Sequence, residues 1–471
     1  MEQHHTDGAR DAIVIGGGLA GMLAATALLG HADTVTVIER DRYPEHRGFR
    51  KGVPQARHTH ILLTGGQRAL DALLPGSCTA LAEAGAHRLD LPRDILTRTP
   101  TGWPRRFDEG RHHTLSVTRP VLDAVVTERA RAAFADSATH VEIREATEAV
   151  GLIGDAGRVT GVRVRPRDGG APRTLTAALV VDASGRSSRA PRWYAELGLA
   201  APQEEIVDTG LGYATRQYRP GPAGPPDTGV NIPNWPGSPR GGCYLPVEDG
   251  IWMLTLAGMR GDHPPTDPAE FLAFCATVGD PYLHSLVSDA EPLTPVHGFQ
   301  DTRNRRRRYE RPGASPQGFL VLGDAHCTFN PVYGQGMSVA ALGAHALRET
   351  VERTGGLLPD TAATVQREIA AVTDPAWITA VGADLPYLRD ADGKRTAGER
   401  LTAWYLDRLA ARAALDPVVG AAFRDVFCLT APLPRLFGPR IAARTVLLPR
   451  RPALPAPPTA PEPARRTGAG V

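Results

Sequence analysis

The stretch Asp11-Ala-Ile-Val-Ile-Gly-Gly-Gly-Leu-Ala-Gly-Met-Leu-Ala-Ala-Thr-Ala-Leu-Leu-Gly30, followed by Thr34-Val-Thr-Val-Ile-Glu-Arg40, decides the fold. Ala12 to Ile15 reads as a short buried strand, Gly16, Gly18 and Gly21 as a GxGxxG turn, and the residues up to about Leu29 as a helix. Val35 to Ile38 is the next strand, so the unit is βαβ. The first glycine makes the tight turn, the second lets a pyrophosphate approach the backbone, and the third lets helix and strand pack closely. The helix N-terminus then faces the phosphates. Glu39 stands 23 residues after Gly16, where a carboxylate accepts the ribose hydroxyls of an adenosine. The alternative is a tight turn with no ligand. The uncharged run from Ala12 to Gly30 is 19 residues long, but its five glycines and changing periodicity speak against a membrane span.

Two further motifs lie far downstream. Leu179 to Val181 is an apolar strand ending in Asp182-Ala-Ser-Gly185-Arg186-Ser-Ser. Phe319 to Leu322 is another, closed by Gly323-Asp324 and followed by Pro331-Val-Tyr-Gly-Gln-Gly336-Met337 and an Ala-rich helix. A loop with two glycines before a helix offers backbone N–H groups and a positive dipole end. These suit the N1–C2=O edge of a flavin, and the Asp324 carboxylate suits a ribityl hydroxyl. The first motif does not choose between NAD and FAD; the later ones point to FAD.

The 471 residues carry 53 Lys+Arg and 51 Asp+Glu, a balance that argues against a nucleic-acid binder. Lys51 and Lys394 are the lysines among those basic residues, so the arginine excess reads as a GC-rich coding bias and carries no functional weight. The five cysteines include no CxxC pair, which indicates reduced thiols in a cytoplasmic setting. Met1 to Arg10 lacks the order of a secretory signal. His58-Thr-His60 and His112-His113 have no ligand-spaced partners, so no metal site is expected. A contact from the His58–His60 segment to flavin or substrate fits better. The run Arg303-Asn-Arg-Arg-Arg-Arg-Tyr309 reads as a salt-bridged loop.

The three motifs, in this order, resemble the single-chain FAD-dependent monooxygenases of the para-hydroxybenzoate hydroxylase type, over about residues 10 to 350. The resemblance implies an α/β fold. A Rossmann-like, glutathione-reductase-type FAD-binding domain would be joined to an antiparallel-sheet substrate domain and a helical C-terminal region. It implies that Gly16, Gly18, Gly21, Glu39 and Arg40 hold the ADP half of FAD. Arg119 would lie near the pyrophosphate and ribityl chain. Asp182 and Gly185 form the Asp-Gly motif linked to FAD and the nicotinamide cofactor, and Gly323 and Asp324 the Gly-Asp motif at the ribityl chain. Pro331, Gly334, Gly336 and Met337 would form the catalytic loop over the isoalloxazine ring. Lys51, beside Arg50, is a candidate contact to FAD or to a substrate carboxylate.

Arg50-Lys-Gly-Val-Pro-Gln-Ala-Arg-His-Thr-His-Ile-Leu62, Ala84-Gly-Ala-His-Arg88 and Phe329-Asn-Pro-Val-Tyr-Gly-Gln-Gly-Met337 are similar to the actinomycete polyether epoxidases. Those enzymes epoxidise alkenes of linear polyene polyketides, through the flavin C4a-hydroperoxide formed from O2. Gln335 stands where they often have His. Ser338 stands where aromatic hydroxylases usually have Asn, which moves the chain away from phenol hydroxylation. The resemblance implies NADPH or NADH as reductant, directly or through a separate flavin reductase, and an apolar alkene substrate in a long apolar tunnel. Neither nucleic acid nor membrane is expected as partner. Hydroxylation of an aromatic or terpenoid-like molecule is the second reading, and a flavin-binding redox sensor the non-enzymatic one. No two tryptophans have the WxWxIP spacing of a flavin-dependent halogenase.

The expected organisation is a discontinuous FAD domain (10–74, 111–190 and 293–358), a substrate domain (75–110 and 191–292), a helical region (359–448) and a disordered tail (449–471). Val207 to Tyr218 reads as one strand, and Gly242 to Gly258 as a hairpin turning at Glu248-Asp249-Gly250. Tyr213, Tyr244, Trp252 and Met253 fit either the pocket wall or the core, and Trp235 a loop over the site. Ala397 to Arg412 and Val418 to Cys428 have helical spacing.

Overall fold

The computed structural model describes residues 10–107, 110–222, 226–311, 313, 315–388, 397–448 and 453–458. Its centre is a parallel sheet in the order Phe319–Val321, Leu179–Asp182, Ala12–Ile15, Thr34–Ile38, His140–Arg144. The strands are short and apolar throughout because both faces are covered. Ala12, Val14, Val35, Val37 and Val181 point into one core with the helices Leu19–Ala27, Arg119–Ala135 and Gly336–Thr354. Ile13, Ile15, Ile38, Val180 and Val321 point into another, closed by the antiparallel sheet Thr147–Gly154, Val159–Pro166, Arg173–Thr176 and the helix Ala190–Glu196.

A second, mostly antiparallel sheet runs Glu291–Pro292, Gly212–Arg219, Trp252–Gly258, Arg240–Pro246, Gly229–Ile232, Ile95–Thr97. The hairpin turns at Glu248–Gly250 as expected, with Asp249 at φ 61°. Tyr244, Trp252, Leu254 and Leu256 pack on the helices Pro268–Cys275 and Tyr282–Val287. The opposite face turns toward the parallel-sheet domain.

Several boundaries differ from the sequence reading. His297–Phe299 pairs with Gly212–Arg219, so the second sheet extends beyond residue 292. Leu81 of the helix Ser77–Glu83 packs in the core of the first domain, as do Trp193 and Tyr194 beneath its sheet. Val207 to Tyr218 is not one strand: Glu204–Val207 pairs with Asn304–Arg307, and Gly210 at φ +60° turns the chain into Gly212–Arg219. The arginine run is a strand rather than a loop. Arg306 pairs with Asp374 and Glu310, Arg307 with Glu204 (2.9 Å) and Arg308 with Glu205 (2.7 Å).

The helix Thr361–Leu388 packs on Gly336–Thr354, and Ala397–Ala413, Pro417–Phe427 and Pro439–Leu447 share a small core of Leu409, Val419, Val426 and Ile441. Of the tail expected to be disordered, residues 453–458 are placed: Leu454 exchanges two backbone hydrogen bonds of 2.9 Å with Trp103. The rest of 449–471 lies outside the described residues, as does Lys394. Among the described residues no helix is long and apolar enough to cross a membrane.

Candidate functional site

The glycine turn after Ala12–Ile15 is built by two of its glycines and left open by the third. Gly16 has φ +100°, and a Cβ there would lie 2.6 Å from the Ala183 carbonyl oxygen. A Cβ at Gly21 would lie 1.7 Å from the Gly16 carbonyl oxygen. At Gly18 the nearest atom to such a Cβ is an Arg50 nitrogen at 3.9 Å, so this position faces free space. Gly17 N donates to Glu39 Oε2 (2.7 Å) and Asp41 N to Glu39 Oε1 (2.8 Å), which fixes the carboxylate at the strand end. The buried Arg50 guanidinium joins Glu39 (3.4 Å) to Asp123 (3.5 Å) and donates to the Gly17 carbonyl (3.2 Å). Arg119 opens its helix and pairs with Asp123 at 2.7 Å. Two guanidinium groups thus stand beside the open glycine turn, an arrangement suited to a pyrophosphate.

At the other end, Gly323 with φ +63° turns the chain so that Asp324 faces the interior. The Asp324 carboxylate has no hydrogen-bond partner among the described residues. Burial raises its pKa against the pull of Arg186 and Arg119. Gly334 takes the left-handed conformation (φ +64°) beneath Ile61. A Cβ at Gly336 would meet nothing nearer than Asp324 Oδ1 at 3.8 Å, so the N-terminus of the 19-residue helix Gly336–Thr354 is open. Ser338 Oγ accepts from Leu63 N (3.0 Å), tying that helix to the segment after His60.

One cavity of about 1040 Å³ joins both ends. It continues across the open face of the second sheet and under the helices 397–413 and 417–427, where Ala410, Phe423 and Phe427 line it. His58 and His60 face it from the segment that passes the Gly334 loop. His60 Nδ1 lies 2.8 Å from the His58 carbonyl, so it is the donor and Nε2 is left as acceptor. Burial lowers the pKa of His58 to about 3 and of His60 to about 4, so both are neutral near pH 7.

Gly16, Gly18, Glu39, Arg40, Arg119, Gly185, Asp324, Pro331, Gly334, Gly336 and Met337, all singled out from the sequence, line this cavity. Gly21 and Gly323 do not; they pack the helix Leu19–Ala27 against its surroundings, Gly323 against Ala20. Asp182 does not either. Its carboxylate turns back to accept from Ser184 N (2.9 Å), Ser184 Oγ (2.5 Å) and Ser188 Oγ (2.6 Å), shaping the turn that presents Gly185. Lys51 lies outside, in a recess shared with Arg40, Asp41 and Arg50. Tyr213 lines the cavity, Tyr244 and Trp252 belong to the opposite face, and Met253 is buried away from the cavity. Trp235 packs beside Gly279 and under Arg98, away from the site. Arg50 and Arg186 were not singled out. Arg50 becomes visible only through its pairing with Glu39 and with Asp123, the latter 73 residues along the chain.

The donor set fits FAD. An open glycine turn with two guanidinium groups, a carboxylate fixed after the second strand, an unpartnered inward carboxylate at Asp324 and an open helix N-terminus at Gly336 follow one another along one cavity. A family model described as FAD binding domain matches residues 9–351. The chain belongs to this family of FAD-dependent monooxygenases. Protein Rv3254 of Mycobacterium tuberculosis is 30% identical over 89% of each chain. Kynurenine 3-monooxygenase of Salinispora arenicola is 30% identical over 70% of this chain and 69% of its own length. Rifampicin monooxygenase of Streptomyces venezuelae is 28% identical over 70% and 61%. Among solved structures, the flavin-dependent brominase Bmp2 superposes with a TM-score of 0.65 at 15% identity, covering 93% of this chain and 97% of that one. At these identities the structural likeness concerns the fold. This flavoprotein monooxygenase has the expected α/β architecture with its second, mostly antiparallel sheet.

Proposed function

We propose that this monooxygenase adds one oxygen atom from O2 to an alkene of an extended, largely apolar natural-product intermediate, as in epoxidation of a linear polyene polyketide. The observation that carries the reading is the continuity of the cavity: the Gly336 helix end and the face of the second sheet bound one space, which runs on beneath two C-terminal helices. Its volume is at or above the upper end of ordinary ligand pockets, about 300–1,000 Å³. Bound FAD, once reduced by NADPH or NADH, supplies the activation of O2.

The chain's own residues bind, orient and exclude water. Gly18, Arg50 and Arg119 would hold the pyrophosphate, Glu39 the adenosine ribose and Asp324 the ribityl chain. The open N–H groups at Gly336 would stabilise negative charge at the ring edge. The loop from Pro331 to Gly336 would hold the ring plane against the sheet, and Phe423 and Phe427 would keep water from the reacting carbon atoms. Oxygen transfer to an alkene requires no protein nucleophile, and the two neutral imidazoles of His58 and His60 add no positive charge at that part of the cavity.

Incubation with FAD, NADPH, a flavin reductase and a linear polyene under 18O2 is expected to give a product carrying one 18O per oxidised alkene. Product without 18O would sink the reading. The kynurenine 3-monooxygenase likeness favours a second one, hydroxylation of an aromatic or terpenoid-like molecule in the same cavity. Product structure separates the two.

A further inference from the structure

The open face of the second sheet carries a polar row that no single stretch of sequence displays. The register places Thr215 opposite Thr255, Thr255 opposite Cys243, Cys243 opposite Asn231, and Asn231 opposite Thr97. Directly opposed residues share a face, so these five side chains form a line across five strands. Adjacent strands are about 4.8 Å apart, which makes the line about 19 Å long. The residues beside it on that face include Tyr213, Ala257 and Leu245, all apolar in the part they present.

The two ends of the row differ. At one end the hydroxyls are mutually bonded: Thr215 to Thr255 (2.7 Å), Thr255 to Thr59 (2.7 Å), and Thr215 to His58 Nδ1 (2.8 Å). His58 is 4% exposed, and its Nε2 has no partner among the described residues. At the other end Asn231 and Thr97 line the cavity, and neither side chain has a hydrogen-bond partner among the described residues. Arg98 and Arg105 line the cavity nearby, outside the row, and Arg98 is committed to Asp280 (2.9 Å) and to the Thr99 carbonyl. Both Asn231 and Thr97 are half-buried and open to the cavity, so an oxygen function of a bound molecule can meet them directly.

We propose that this row is a subsite for neutral oxygen functions, hydroxyl or carbonyl, on an otherwise apolar substrate, with Asn231 as its principal contact. The inference rests on the oxygenase reading above and specifies the substrate class. An amide can donate to a carbonyl or accept from a hydroxyl, and a threonine can do either. No cation in the row matches a carboxylate. The threonine chain also has two proton arrangements. With the hydroxyls donating toward His58, Nε2 is a donor; with the chain reversed, Nε2 is an acceptor. The row thus suits either kind of oxygen.

The test uses the full chain and three C15 probes that share a skeleton: farnesol, farnesene and farnesoic acid, with binding read by calorimetry. FAD uptake is read separately from its visible absorption, so failure to bind flavin strikes the oxygenase reading and leaves the probe result to judge the row. Farnesol is expected to bind about tenfold tighter than farnesene. Asn231→Leu is expected to bring the two within about twofold while leaving the melting temperature and FAD affinity unchanged. Thr255→Val, which keeps side-chain volume, serves if Asn231→Leu does not fold. No preference for farnesol, tightest binding of farnesoic acid, or a preference that survives in the folded variant would overturn the proposal.

Discussion

The phenol of Tyr333 donates a hydrogen bond to the buried carboxylate of Asp384. The same carboxylate accepts from Asn304 Nδ2 (2.5 Å) and Asn330 Nδ2 (3.3 Å). Tyr333 and Asn330 belong to the loop that lines the cavity, and Asp384 to the helix Thr361–Leu388. The C-terminal helix therefore fixes that loop from outside through one residue.

Asp384→Ala would leave three donors without their acceptor in the interior. A loss of about 2–4 kcal/mol in unfolding free energy is expected, since each orphaned group costs about 1–3 kcal/mol and some find water. FAD affinity should fall with it, while Tyr333→Phe should cost only about 1 kcal/mol. Urea unfolding with and without FAD measures both; an Asp384→Ala protein as stable as the parent would remove the helix from any role in the loop.

The three motif glycines are expected to respond differently to alanine. Gly16→Ala and Gly21→Ala place a Cβ 2.6 Å and 1.7 Å from backbone oxygens and should destabilise the flavin-free protein. Gly18→Ala, at φ −78° with open space before it, should leave that stability nearly intact and weaken FAD binding by at least about tenfold, or about 1.4 kcal/mol. Thermal melting of the flavin-free variants beside an FAD titration separates the two effects. Equal FAD affinity in Gly18→Ala would show that no phosphate lies there.

Glu39 uses both carboxylate oxygens on backbone N–H groups. Glu39→Gln turns one acceptor into a donor facing another donor. A loss of about 1–3 kcal/mol and a higher dissociation constant for FAD are expected, read by fluorescence quenching of the flavin. A variant indistinguishable from the parent would mean that Glu39 neither holds the turn nor meets the ribose.

These contrasts mark what sequence can and cannot carry. The places of the glycine turn, Glu39, Gly185, Asp324 and the Pro331–Met337 loop along the cavity were legible because their geometry is local: spacing along a few residues sets which N–H groups point outward. Asp182 stands off the cavity for the complementary reason. A carboxylate at a strand end can face the cleft or fold back, and here Ser184 and Ser188 take it. Arg50 was hidden by the arginine-rich composition and by its distance in sequence from Asp123. The polar row was invisible because Thr97, Asn231, Cys243, Thr255 and Thr215 meet only through strand register.

Burial lowers the pKa of His58 to about 3 and of His60 to about 4, from an ordinary 6.5. The native state then binds fewer protons than the unfolded state below pH 6.5. Stability is complete above that pH and falls as pH drops toward 4, by up to about 1.4 kcal/mol per pH unit for each histidine. His58→Phe should flatten the decline between pH 6.5 and 5. Denaturant unfolding at the two pH values measures it, and identical slopes for variant and parent would place His58 in contact with water.

Stoichiometric FAD uptake is the most direct measurement. The flavin-stripped chain, titrated with FAD and followed by visible absorption and flavin fluorescence, is expected to saturate at one FAD per chain and remain yellow through gel filtration. A protein that stays colourless at excess FAD would contradict the cavity's assignment and the oxygen chemistry built on it.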